Sequence, residues 1–62
     1  MKIREDRFLS ALYEAVFEAH HLLSKSMLRV DWSGEEEQFV RVALAVLREL
    51  LSMIEKKRRE SR

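Results

Sequence analysis

The sequence predicts an all-α protein, on three observations. Proline is absent and Gly34 is the only glycine among 62 residues, so almost nothing interrupts a helix. Ala, Glu, Lys, Leu and Arg make up more than half the chain, the composition of long helices and coiled coils. Apolar residues recur at helical spacing on both sides of a single break at residues 30–33. With 62 residues and no cysteine, the chain is near the lower size limit for a stable core and has no disulfide or thiolate framework to help it. The expected architecture is an antiparallel two-helix hairpin that self-associates into a four-helix bundle dimer or a higher oligomer.

The first helix is expected over residues 4–29. With Leu9 at heptad position a, Leu9, Val16, Leu23 and Val30 form the a row and Leu12, Ala19 and Ser26 the d row. Tyr13, His20 and Met27 fall at e, and Phe8, Ala15 and Leu22 at g. The break reads Val-Asp-Trp-Ser, and its Asp and Ser favour turns over helix interiors. Ser33 with Glu36 three residues later fits a capping box, and Glu35, Glu36 and Glu37 occupy the turn where the helix dipole favours carboxylates. The second helix is expected over residues 34–58, with Val40, Leu47 and Ile54 at a, Ala43 and Leu50 at d, Leu44 and Leu51 at e, and Phe39, Val46 and Met53 at g. Cations close it, and residues 59–62 form a frayed basic tail. The chain is one domain over 1–62.

Folded back on itself, the hairpin sets Leu9 level with Ile54, Val16 with Leu47 and Leu23 with Val40, so the a rows meet in register. Both apolar stripes are four heptad positions wide, more than one neighbouring helix can cover. Association through Leu9, Leu12, Val16, Ala19, Leu23, Val40, Ala43, Leu47, Leu50 and Ile54 gives each stripe two neighbours, and twofold symmetry is the commonest solution.

Chemistry-bearing patterns are sparse. Glu18 and His21 have the Glu-x-x-His spacing of di-iron bundles, with Glu14 one turn upstream, but these residues fall at c and f, on the outward face. They read as a solvated charged face with Lys25; the alternative is a metal-binding helical bundle. His20, at the edge of the stripe, reads as an interface histidine or as the sensor of a pH-dependent oligomer. No serine nucleophile has a base at a diagnostic spacing and there is no glycine-rich phosphate loop, so we expect no enzyme and no cofactor.

Two surfaces suggest partners. Phe17, Val42 and Ala45 are apolar residues outside the stripes, and they mark a candidate protein-binding patch. Lys2, Arg4, Arg7, Lys56, Lys57, Arg58, Arg59 and Arg62 converge on one end of the hairpin, diluted by Glu5, Asp6, Glu55 and Glu60, and they mark a candidate nucleic-acid site dominated by phosphate contact. The leading expectation is a small structural or regulatory module acting through protein–protein interaction; the rival is an RNA- or DNA-binding regulator. The longest apolar run, 42–47, is far short of the roughly 20 residues that span a bilayer, so no membrane is expected. The first residues lack a secretory apolar run, which points to the cytoplasm. Absent Asn and Cys, with abundant Arg and Glu, follow the trend of heat-adapted proteins.

Overall fold

A computed structural model describes residues 2–60, with side chains described from Glu5 onward. Helix α1 spans Lys2–Arg29 and helix α2 spans Gly34–Glu60; they pack antiparallel as a hairpin 46 Å long. Helix α2 thus continues two residues beyond Arg58, with Lys57, Arg58 and Arg59 in its last turn, where cations offset the negative end of the helix dipole.

The break between the helices is built from local hydrogen bonds. The Val30 amide donates to the Ser26 carbonyl at 2.8 Å and closes the last turn of α1. Ser33 then forms the reciprocal cap its spacing predicts. The Glu36 amide donates to Ser33 Oγ at 3.2 Å, and the Ser33 amide donates to Glu36 Oε1 at 3.0 Å. Trp32 ties the loop back to α1: its indole Nε1 donates to Ser26 Oγ at 3.2 Å, while Ser26 Oγ itself donates to the Leu23 carbonyl at 2.6 Å. A serine in the apolar d row is thereby bonded on both its donor and acceptor sides. Replacing Ser33 with Ala removes one cap acceptor and should lower stability by about 1 kcal/mol, read as an earlier urea midpoint at unchanged slope.

The core is thin. Among the described residues Val16, Val40 and Ile54 are the buried apolar ones, with Ile54 the most enclosed at 4% exposure. Around them Leu9, Leu12, Tyr13, His20, Leu23 and Met27 of α1, and Ala43, Leu44, Leu47, Leu50 and Leu51 of α2, are half-buried. The seam between the helices therefore runs along the a and e rows, with the d row at its margin.

Candidate interaction surfaces

The g row of both helices is left open. Phe8 is 68% exposed, Leu22 55%, Phe39 71%, Val46 58% and Met53 56%. Ala15 in the same row, and Ala19 in the d row, are exposed as well. Heptad rows follow one another around a helix in a fixed sense, and reversing the chain direction reverses that sense. When the a and e rows of two antiparallel helices meet, their d and g rows consequently emerge on the same side of the hairpin. Phe8, Ala15, Ala19 and Leu22 from α1 thus share one long face with Phe39, Val46 and Met53 from α2. Leu28 and Val30, at 92% and 45% exposure, lie beside the loop and outside this face.

The residues assigned to an oligomer core divide accordingly. Val16, Val40 and Ile54 are consumed by the hairpin seam; Leu9, Leu12, Leu23, Ala43, Leu47 and Leu50 are half-buried; Ala19 is open on the d/g face.

The opposite side of the hairpin carries a different feature. Phe17 stacks on Tyr13 with ring centroids 6.4 Å apart and planes inclined by 11°, and the Arg58 guanidinium carbon lies 5.9 Å from the Tyr13 centroid. The two contacts form a short ladder from an exposed phenyl ring to a cation of the α2 terminus. Arg58 also donates to Glu55 Oε1 at 3.3 Å. Phe17 belongs to the apolar patch expected from the sequence, which assigns no aromatic residue to the basic end. The ladder was missed because it depends on how far two long side chains reach across the seam. Tyr13 and Arg58 both occupying e positions was the available signal. Val42 and Ala45 are exposed on α2; Ala45 lies toward the Phe17 side, while Val42 is on the part of α2 turned away from α1.

At the basic end Arg7, Lys56, Lys57 and Arg59 are exposed and Arg58 is half-buried. Lys2 and Arg4 belong to the first turn of α1, but their side chains lie outside the described residues, as does Arg62. Asp6 and Arg58 leave one polar atom each, Oδ1 and Nε, buried without a hydrogen-bond partner, both at this end of the seam. His20 Nε2 is in the same condition midway along it.

Glu14, Glu18 and His21 are exposed along the outer face of α1, and among the described residues no three metal-ligating side chains gather into a cluster. A shallow depression of about 580 Å³ on α1 is lined by Ala11, Tyr13, Glu14, Ala15, Phe17 and Glu18. The ion pair between Arg41 and Glu37, at 2.7 Å, joins residues one turn apart on α2; both are exposed, so it adds only a few tenths of a kcal/mol of helix support. No described helix is long and apolar enough to cross a membrane. No family model, no curated protein and no solved structure matches the chain.

Proposed function

We propose that this chain is a small, non-enzymatic interaction module that works as a homodimer, two hairpins joined through their d/g faces into a four-helix bundle. Its role is structural or regulatory and is exercised by binding another protein. One observation carries this reading: five large apolar side chains, each more than half exposed, share one face of a hairpin in which, among the described residues, three are buried. An aromatic side chain has about 150–250 Å² to bury, so the face offers on the order of 600 Å² per copy. Two such faces reach about 1,200 Å², the lower edge of specific interfaces. Phe17, Ala45 and Val42 stay outside that contact and remain open to a protein partner.

Folding and association are then coupled, and stability depends on concentration. Each tenfold dilution removes about 1.4 kcal/mol of dimer stability, which for the two chains unfolding together is a fall of roughly 5 °C in the melting midpoint. A midpoint that does not move between 1 mM and 10 µM protein would contradict the dimer.

The Tyr13–Arg58 contact favours a second reading, in which the basic end holds a nucleic acid. It links an exposed aromatic pair to Arg58 of the basic end, so that a base can stack on Phe17 while Arg58 and the cations further along α2 meet phosphates. On this reading a low-salt gel shift weakens by orders of magnitude between 50 and 200 mM salt and is lost when Lys56, Lys57 and Arg59 are all replaced with Ala. Absence of any shift at micromolar protein removes it.

A further inference from the structure

The open face has an internal order that bears on how its second copy sits. Val16 and Leu47 lie level with each other near mid-height of the hairpin. Measured from that height, Phe8 lies as far toward the chain ends as Phe39 lies toward the loop. Met53 and Leu22 form a second matched pair, closer in, and Ala15 and Val46 flank the centre. Along the hairpin the exposed row therefore reads aromatic, aliphatic, small, small, aliphatic, aromatic. A face that is nearly palindromic meets a copy of itself layer for layer in either direction, with aromatic residues level with aromatic residues in both. Packing of this row leaves both directions open.

Charge does not. The turns of α1 and α2 at the chain ends contain Lys2, Arg4, Arg7, Lys56, Lys57, Arg58 and Arg59 against Glu5, Asp6, Glu55 and Glu60, a net of +3. The loop end, residues 25–41, contains Asp31, Glu35, Glu36 and Glu37 against Lys25, Arg29 and Arg41, a net of −1. A dyad parallel to the helices stacks the two basic ends on each other. A dyad across the helices lays each basic end over the partner's acidic loop. Packed helices lie about 8–10 Å apart, close to the Debye length of about 10 Å at 0.1 M salt, so part of the difference survives screening.

Resting on the dimer reading above, we infer that the second copy docks antiparallel, its loop over the first copy's chain ends, with the dyad crossing near Ala15 and Val46. The test uses the absence of cysteine. Gly34 has no positive φ and a Cβ built there meets nothing within 4 Å, so Gly34→Cys introduces a label site without strain. At about 1.5 Å per residue, Gly34 lies some 20 Å from the proposed dyad. In 50 mM salt, spin labels on the full-length dimer should report a separation of about 40 Å by dipolar spectroscopy. A separation of about 20 Å in a species of dimeric mass overturns the orientation and leaves the dimer standing. A monomeric mass overturns the dimer, and the orientation with it.

Discussion

Val46→Glu is expected to dissociate the dimer. Val46 is 58% exposed in the hairpin and lies beside the proposed dyad, so the substitution brings two carboxylates into the middle of the bundle core with no cation to meet them. An unpaired buried charge is among the most costly substitutions; a loss of 3 kcal/mol or more corresponds to at least a ~100-fold rise in dimer Kd. Sedimentation velocity at 50 µM should show a species of 7.4 kDa, and helicity should fall because the hairpin loses the cover of its open face. Phe17→Glu is the matched control. Phe17 is 56% exposed, nearly the same as Val46, but lies on the opposite side of the hairpin. It should keep the dimeric mass and lose only the ring contact with Tyr13, about 1 kcal/mol. If both substitutions leave the mass unchanged, the d/g face is not the interface.

Ile54→Ala is expected to be the most damaging truncation in the seam. Ile54 is the most enclosed side chain described, and removing a buried Ile to Ala costs about 2–5 kcal/mol. Each chain of the dimer loses that amount. A 62-residue chain has few kcal/mol to spare, so circular dichroism at 25 °C should show a largely unfolded population. Ile54→Val, which removes one methyl group, should cost about 1 kcal/mol and keep the fold. Equal effects of the two would mean that this position is not packed as described.

The hairpin was legible in the sequence because its signals are local. Ser33 and Glu36 announce a helix start by their spacing alone, and the structure contains both halves of that cap. The a row was legible because Val16, Val40 and Ile54 recur in register on both helices. The choice of seam was not. A stripe four rows wide has two edges, and nothing in the periodicity says whether the first neighbour takes the e edge or the g edge. The structure seats Tyr13, His20, Leu44 and Leu51 in the seam and leaves Phe8, Leu22, Phe39, Val46 and Met53 open. The tie between Trp32 and Ser26 was hidden for a related reason. Ser26 is a polar residue in an apolar row, a visible anomaly, but its partner lies in a loop whose path periodicity does not describe.

Self-association through the open apolar face is the central claim, and the weight-average mass of the unmodified chain tests it most directly. Sedimentation equilibrium at 10–200 µM in about 0.1 M salt should return twice the chain mass of 7.4 kDa, with helicity high across the range. A fully helical species of 7.4 kDa at the highest concentration would show that the hairpin stands alone with its face in water, and would contradict the account.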